Sequence, residues 1–212
     1  MPKRSTFHEK VLQRIDEYKP KGGLDTSSKM FLHMVSVKHP DVKNHCERVA
    51  LLAESVALKN NKDPKASFFA GLLHDIGKTV LPFQLFDGHN IDAQEYARVK
   101  EHAYDGFSIL QEMHLFTALC SGAHHAMYKS GYGISAKDLP KEWGLDTITK
   151  VLEIATIVSI CDFVDAFTHR NTQIKDGSDI SSQNLNDMLN KKYPNHHMLI
   201  EITIKENARL RM

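Results

Sequence analysis

The sequence has 212 residues, of which 42% are hydrophobic and 25% are charged, a composition typical of a globular protein with one well-buried core. Its 27 basic and 26 acidic residues give a formal net charge of +1, which argues against a nucleic-acid-binding surface or a basic membrane patch. The longest apolar stretches are interrupted by charged residues, and residues 1–10 lack the apolar core of a signal peptide, so we expect no membrane segment.

The cysteine and histidine contents narrow the class of protein further. Cys46, Cys120 and Cys161 lie far apart and form no CxxC motif, which favours a reducing compartment over a disulfide framework. We therefore expect a cytoplasmic protein. Histidine is unusually frequent, with 13 residues, so imidazole groups are the first candidates for chemistry.

Helical periodicity dominates the first 170 residues, and the chain shows no fixed repeat. Asp63 before Pro64, and Asp92 three residues before Glu95, are typical helix starts, and Gly77 lets the chain turn. The pattern predicts an all-α core with helices at about 6–18, 40–59, 65–77, 92–113, 115–128 and 146–168.

The region after about residue 171 is more polar and less regular than the rest of the chain. Residues 181–192 predict a short helix, whereas the alternation in residues 196–210 fits either a strand or a helix. We assign no function to this region from its sequence.

Seven polar residues fall on the inner faces or inner ends of the predicted helices. They are His45, His74, Asp75, His102, His124, His125 and Asp162. Imidazole nitrogens and carboxylate oxygens together suit divalent transition metals such as Fe, Mn, Ni, Co or Zn. Because an unpaired carboxylate is costly on a buried stripe, Asp162 needs a partner. Rigid helices can hold such ligands in place, so the pattern predicts a metal centre.

His74 and Asp75 are adjacent, and neighbouring helical residues point about 100° apart. One helix end can therefore supply a nitrogen ligand and a carboxylate that bridges two metals. Such a pair of ions lowers the pKa of a bridging water and holds the oxygens of a phosphoryl group for in-line attack. Lys78 would add a fixed positive charge where a phosphate develops negative charge, although a solvated cation at a helix end is the alternative.

The same residues carry a family resemblance. The segments HCERVA (45–50), HDIGK (74–78), EHAYDG (101–106), HH (124–125) and CDFVDA (161–166) closely resemble, in order and spacing, the HD superfamily of metal-dependent phosphohydrolases. The resemblance is strongest to the HD-GYP branch of that superfamily. It covers roughly residues 40–170 of the chain.

The resemblance implies an all-helical domain that holds two metal ions and shares one carboxylate between them. The implied ligands are His45, His74, Asp75 and Asp162 for one ion, and Asp75, His102, His124 and His125 for the other. Some members hold a third ion, which here would involve Asp41, four residues before His45. The alternative for Asp41 is a first-turn acidic residue favoured by the helix dipole.

The chain departs from the HD-GYP pattern after its paired histidines, where that branch usually has glutamate and then a DGxGYP loop. Ala126 replaces the glutamate, Lys129 stands where an aspartate would be, and Gly133 replaces the proline. These differences argue against hydrolysis of cyclic di-GMP, the substrate associated with the branch. Tyr132, between Gly131 and Gly133, is either a substrate contact or a loop packing residue.

We therefore expect an HD-domain helical bundle at residues 39–170, with an N-terminal helical extension at residues 1–38 and a small C-terminal extension at residues 171–212. The expected function is a metal-dependent phosphohydrolase that cleaves a phosphoester of a nucleotide or cyclic (di)nucleotide with a metal-activated hydroxide. Asp75 and Lys78 are the candidate catalytic residues, and Lys78 and Tyr132 are the candidate substrate-binding residues.

The expected partner is a small phosphorylated compound rather than polymeric nucleic acid or a membrane. Two other functions stay open: a catalytically inactive HD-fold sensor or scaffold, and an HD oxygenase with a di-iron site. The fixed cation of Lys78 favours phosphate chemistry over the oxygenase.

Other polar residues have weaker patterns. Asp165 is expected to order a neighbouring group rather than to bind metal. Thr168 and Arg170 could reach a phosphate, but an exposed helix end explains them almost as well. Five further histidines have no spacing that requires them to bind metal, and we expect them on the surface. They are His33, His39, His114, His196 and His197.

Overall fold

The structure is a computed structural model that describes residues 6–87, 89–173 and 182–211. Regular structure in these ranges is helical throughout, which confirms the all-α prediction. The α-helices are α1 (Phe7–Tyr18), α2 (Leu24–Lys38), α3 (Pro40–Lys59), α4 (Pro64–Leu73), α5 (Ala93–Lys100), α6 (His102–Gly122), α7 (Leu145–Gln173), α8 (Ser182–Lys192) and α9 (His197–Arg211). Short 3-10 helices cover Ile76–Val80, Phe83–Phe86, His124–Ala126 and Ala136–Asp138. No helix within the described ranges is long and apolar enough to span a membrane.

Side-chain caps determine where α4 and α5 begin, as predicted. The Asp63 carboxylate accepts a hydrogen bond from the backbone N–H of Ala66, and Asp92 and Glu95 form a reciprocal capping box. These bonds satisfy N–H groups that the first turn of a helix leaves unpaired. The caps therefore position the two helices whose C-terminal ends carry candidate ligands.

The core falls into two hydrophobic clusters that meet on α3 and α4. One cluster joins these helices to α7, α8 and α9, with Val49 and Val158 fully buried. The other joins them to α1 and α2, with Ile15 and Phe68 fully buried. Burial of apolar surface on both sides of α3 and α4 fixes the central helices, which is what a site built from several helices needs.

The two terminal regions contribute to these clusters. Val11 of α1 and Ile200 of α9 are each 0% exposed, and both helices pack against α3. The boundaries that we expect at residues 38 and 170 stay a prediction. Part of the region after residue 170, residues 174–181 and 212, lies outside the described residues.

The structure contains two helices that the sequence does not assign: α2 is not predicted, and α9 is predicted only as either a strand or a helix. The sequence pattern does not predict α2, because apolar side chains occupy both of its faces: Phe31 and Val35 are buried, whereas Met30 and Met34 are more than half exposed. The final segment, for which strand and helix were both open, forms the helix α9.

The helix boundaries around α6 differ from the prediction of helices at 92–113 and 115–128. The helix is interrupted at Glu101, between α5 and α6, and α6 then continues past His114 to Gly122. His114 itself has non-helical backbone angles (φ −156°, ψ 80°), and its Nδ1 accepts a hydrogen bond from Thr117 N–H, as an N-terminal cap would. His114 therefore separates two helical segments of α6, at the position where the sequence predicts one helix to end and the next to begin.

Candidate metal centre

The seven predicted ligands lie together at one end of the central helices. His45 and Asp162 lie within α3 and α7. The other five lie just beyond the C-terminal ends of α4, α5 and α6: His74, Asp75, His102, His124 and His125. The pair His74 and Asp75 was expected inside a helix, but α4 ends at Leu73, so both residues belong to the turn that follows it.

Three of these histidines donate an Nδ1–H to a carbonyl three residues earlier, in the last turn of the preceding helix. The pairs are His74 with Gly71 at 2.8 Å, His102 with Val99 at 2.6 Å, and His124 with Ser121 at 2.5 Å. Because a carbonyl can only accept, the proton must be on Nδ1, and the neutral ring carries a lone pair on Nε2. Burial lowers the pKa of His102 and that of His124, which keeps both rings neutral.

The free sides of these rings are buried and lack partners. The Nε2 atoms of His74, His102 and His124, and Oδ1 of Asp75, have no hydrogen-bond partner among the residues that the structure describes. Buried polar atoms are almost always satisfied, so a convergent set of orphaned atoms needs an explanation. Lone pairs on imidazole nitrogen and carboxylate oxygen are the donors that divalent transition metals take, and the residues present therefore fit a metal.

His45 is oriented by a carboxylate instead of a carbonyl. Its Nδ1 lies 2.7 Å from Asp165, and Arg48 donates two hydrogen bonds of 2.8 Å to the same carboxylate. Burial raises the pKa of Asp165, but the hydrogen bonds with His45 and Arg48 outweigh it and lower that pKa to about 2. A carboxylate behind an imidazole is the usual way to aim a metal-binding histidine, as we expected for Asp165.

No role is assigned to Arg48 from the sequence, although its spacing from His45 places both residues on one helix face. Arg48 lies three residues after His45, and residues at this spacing share a helix face. A basic residue at that spacing can reach the carboxylate that orients the histidine. The partner itself cannot be identified from sequence, since Asp165 lies 117 positions away.

The ligand atoms form two groups that a third group connects. Within each group, the available nitrogen or oxygen atoms all lie within 4.8 Å of one another. The groups are His45, His74 and Asp162; His102, His124 and His125; and, between them, His74, Asp75 and His124. The two outer groups correspond to the two predicted ligand sets without their shared carboxylate.

Asp75 lies between the outer groups, with one oxygen toward each. Its Oδ2 is 3.3 Å from Nε2 of His74 and 3.8 Å from Nε2 of His45, whereas its Oδ1 is 3.3 Å from Nε2 of His102. A carboxylate placed in this way could bridge two ions. The bridging role of Asp75 stays a prediction.

Both site carboxylates are ionised, although Asp75 is buried and the side chain of Asp162 is only 18% exposed. Burial raises the pKa of Asp75 and that of Asp162, but neighbouring groups lower both well below the usual range. The nearby ring of His74 and the charge of Lys78 have this effect on Asp75, and the hydrogen bond with His45 has it on Asp162. Two negative charges within a histidine cluster, that of Asp75 buried and that of Asp162 partly exposed, favour the uptake of divalent cations.

Lys78 lies inside the site. Its Nζ is 2.5 Å from Oδ2 of Asp75, and its side chain is only 18% exposed, unlike a solvated cation at a helix end. Burial lowers the pKa of Lys78, but the charge of Asp75 outweighs it, and the net direction is upward. The ammonium group therefore stays charged beside the candidate bridging carboxylate, and its role toward a substrate stays a prediction.

Tyr132 lies against His125, with their ring centres 4.5 Å apart, and its N–H donates to the carbonyl of His125. The next residue, Gly133, has a φ of +91°, which proline cannot adopt because its ring fixes φ near −65°. A Cβ atom at Gly133 would also lie 2.5 Å from the carbonyl oxygen of Gly122. The loop that presents Tyr132 therefore has a backbone conformation that excludes proline at position 133.

Two weaker candidates do not join the cluster, and the side chain of a third is not described. Asp41 is exposed and belongs to none of the metal-binding groups found among the described residues. The Thr168 hydroxyl donates to the carbonyl of Val164 in its own helix. The side chain of Arg170 lies outside the described residues.

The expectation that His39 lies on the surface is wrong. Its ring is 2% exposed, stacks on Phe83 with 5.9 Å between ring centres, and meets Phe86 edge-on. His39 precedes the proline that starts α3, and its apolar surroundings come from the 3-10 helix Phe83–Phe86. His33 and His197 are exposed, as expected.

Comparisons with known proteins agree with this geometry. A family model described as the HD domain matches residues 42–166, a range that includes every predicted ligand of the two-metal centre. Two crystal structures of the HD domain of the L. monocytogenes phosphodiesterase PgpH, one in complex with cyclic-di-AMP, share the fold. Each is 19% identical in sequence to this chain, has a TM-score of 0.59 and covers 85% of this chain. The match includes 96% of the PgpH chain in the complex with cyclic-di-AMP and 97% of the PgpH chain in the other structure. No curated protein matches the chain. Because the family model spans more than half of its residues, the chain belongs to the HD domain family.

Proposed function

We propose that this protein is a metal-dependent phosphohydrolase that cleaves a phosphoester of a nucleotide or cyclic dinucleotide. The observation that carries the proposal is Asp75, whose two oxygens face two separate histidine groups. A shared carboxylate between two sets of nitrogen ligands suits a pair of divalent ions. Membership of the HD domain family supports the same reaction class.

The proposed ligands are His45, His74, Asp75 and Asp162 for one ion, and Asp75, His102, His124 and His125 for the other. Two divalent ions supply a water of lowered pKa and polarise the oxygens of a phosphoryl group. The chain contributes the rigid positions of the ligands, because helix ends and buried hydrogen bonds fix their side chains. Such pre-positioning is what most of the catalytic advantage in phosphoryl transfer depends on.

Lys78 is the proposed electrostatic contributor from the chain itself. Its ammonium lies beside Asp75 and stays charged, so it can offset negative charge that develops on a phosphoryl group. Tyr132 is the proposed contact for the substrate base or sugar, since its ring lines the His125 side of the site. A nucleotide, with one apolar base and one anionic phosphate, matches these two features.

A cyclic dinucleotide is the preferred substrate class. The PgpH HD domain, which shares the fold, was crystallised with cyclic-di-AMP. The glycine at position 133 and the absence of the HD-GYP loop signature argue against cyclic di-GMP as the first choice. Assignment to the HD-GYP branch, rather than to the family as a whole, stays part of the proposal.

The test is to load the protein separately with Mn, Fe, Ni, Co or Zn and to measure bound metal and phosphoester cleavage. The substrates should include cyclic-di-AMP, cyclic di-GMP, cyclic mononucleotides and nucleoside phosphates. We expect about two ions per chain and turnover of at least one cyclic dinucleotide. Asp75→Asn should lose both, whereas Asp146→Asn, which changes an exposed carboxylate on α7, should keep both.

Full hydrolysis by Asp75→Asn, or less than one tightly bound ion per wild-type chain, would contradict the proposal. The two other functions give different results. Iron-dependent oxygen consumption without phosphate release indicates the oxygenase, and tight nucleotide binding without turnover by any metal form indicates a sensor or scaffold.

A further inference from the structure

The C-terminal helix α8 ends beside the candidate metal centre. Its last residue, Lys192, reaches toward side chains that belong to the HD-domain region rather than toward solvent. The Nζ atom lies 3.8 Å from the ring centre of Tyr128, 4.6 Å from that of Phe163 and 5.9 Å from that of Tyr193. Three aromatic rings therefore surround the ammonium group, each attracting it through the negative face of the ring.

This position lies next to the proposed ligands. The Tyr128 ring is 6.3 Å from the ring of His125, and Phe163 directly follows Asp162. The negative charge of Asp162 acts on Lys192, opposing the effect of burial, which lowers the pKa of Lys192. Lys192 is therefore electrostatically coupled to the metal centre, although it comes from a segment outside the residues that match the family model.

The charge of Lys192 has no anionic partner among the residues that the structure describes. Within the described part of the chain, no carboxylate lies within ion-pair distance of Nζ, and no acceptor takes a hydrogen bond from it. An ammonium group has three N–H donors and is costly to bury without acceptors. Its neighbour Lys191, by contrast, is exposed to solvent.

Packing alone is a poor explanation for this arrangement. A methionine would fill the same space among three aromatic rings without the cost of a half-buried charge. A lysine with unused donors beside a candidate metal centre that is proposed to act on phosphoesters is instead suited to an acceptor that arrives with the ligand. Lys78 already provides a positive charge beside Asp75. Lys192 is therefore suited to a second phosphate, farther from the reacting phosphorus.

We propose that Lys192 binds a second phosphate of the substrate, one that is not cleaved, and so selects dinucleotides and cyclic dinucleotides over compounds with a single phosphate. This inference rests on the proposed function, which it makes more specific. It also gives α8 a role: the C-terminal extension completes the substrate site of the HD domain.

The test compares Lys192→Met with Lys191→Met on two substrates, cyclic-di-AMP and bis(p-nitrophenyl) phosphate, which has only one phosphate. Loss of one charge-assisted contact should raise KM for cyclic-di-AMP about 10- to 100-fold in Lys192→Met. Its kcat and its KM for bis(p-nitrophenyl) phosphate should stay within about twofold of wild type, as should every parameter of Lys191→Met. Metal content and thermal unfolding should be unchanged in both variants.

A purely structural lysine would give another pattern, with equal losses on both substrates and a lower melting temperature. That outcome, or an unchanged KM for cyclic-di-AMP, would overturn the proposal.

Binding of fluorescently labelled cyclic-di-AMP to the metal-loaded protein separates this inference from the proposed function. Wild-type protein that binds the probe but cleaves nothing contradicts the phosphohydrolase, while a 10-fold or greater weakening in Lys192→Met still supports the role of Lys192. Equal affinities of wild type and Lys192→Met, or no binding of the probe by wild type, overturn that role.

Discussion

At the scale of single residues, the site depends on which nitrogen of each histidine carries the proton. The sequence predicts which residues are candidate ligands, because their order and spacing match a metal-binding pattern. It does not predict their tautomers or supporting partners, since these follow from how distant helices approach one another. His45 on α3 meets Asp165 on α7 across 120 positions of the chain, and only the fold shows that contact.

The state of His45 predicts that metal uptake releases a proton. Burial favours the neutral ring, but hydrogen bonds with Asp162 and Asp165 outweigh it and raise the pKa of His45 to about 9. A metal ligand must lose that proton, so at pH 7 to 8 each metal-loaded chain should release about one proton from His45. Metal affinity should accordingly rise about tenfold per pH unit up to about pH 9. Calorimetry in buffers of different ionisation enthalpy measures the released protons.

Asp165→Asn provides the control for this titration. Without the carboxylate, the pKa of His45 should fall, and proton release at pH 8 should decrease. Because the histidine is also less well oriented, metal affinity should drop about 10- to 100-fold. The same number of released protons in both proteins would show that His45 is not the group that titrates.

At the scale of elements, the site depends on a close contact between two segments that each follow a helix end. Gly77, in the 3-10 helix Ile76–Val80, lies so near α6 that a Cβ atom there would be 2.0 Å from the carbonyl oxygen of His102. This contact brings Asp75 within reach of His102. The sequence pattern shows Gly77 only as a place to turn, because a close approach between segments leaves no local signal.

We therefore expect Gly77→Ala to separate the two ligand groups. The added methyl group must push the 3-10 helix away from α6, which should cost about 1–3 kcal/mol of unfolding free energy. A displacement near 1 Å should also reduce turnover by roughly 100-fold. Denaturant unfolding, metal content and kinetics measure these effects. Gly144→Ala is the matched control, since nothing lies within 4 Å of a Cβ atom there, and wild-type behaviour of both variants would contradict the interpretation.

At the scale of the whole molecule, metal binding at the candidate centre would be thermodynamically linked to folding. The ligands come from five helices or their ends, and the unfolded chain cannot bring them together. Hydrophobic periodicity predicts helices that each have an inner face, but not which faces meet. For that reason the sequence supports an all-α core, while the packing of α1, α2 and α9 on α3 and the contact of α8 with the site require the structure.

This linkage predicts that metal stabilises the protein. At a free metal concentration about 100 times Kd, one site adds about 2.7 kcal/mol, which for a domain of this size corresponds to a rise of roughly 5–10 °C in Tm. Differential scanning calorimetry with and without a chelator measures the shift. Asp75→Asn should lose most of it and Asp146→Asn should retain it, whereas an unchanged Tm on metal addition to wild type would argue against a preformed site.

The carbonyl-anchored histidines make the two ligand groups electrically unequal. In the group of His102, His124 and His125, the first two rings donate hydrogen bonds to uncharged peptide oxygens. In the group of His45, His74 and Asp162, Asp162 is itself a negatively charged ligand candidate, and the ionised carboxylate of Asp165 contacts the ring of His45. Two ions bound here would consequently differ in electrophilicity: the one near His45 would be held more tightly and filled first, and the one near His102 would keep the stronger pull on an anionic oxygen.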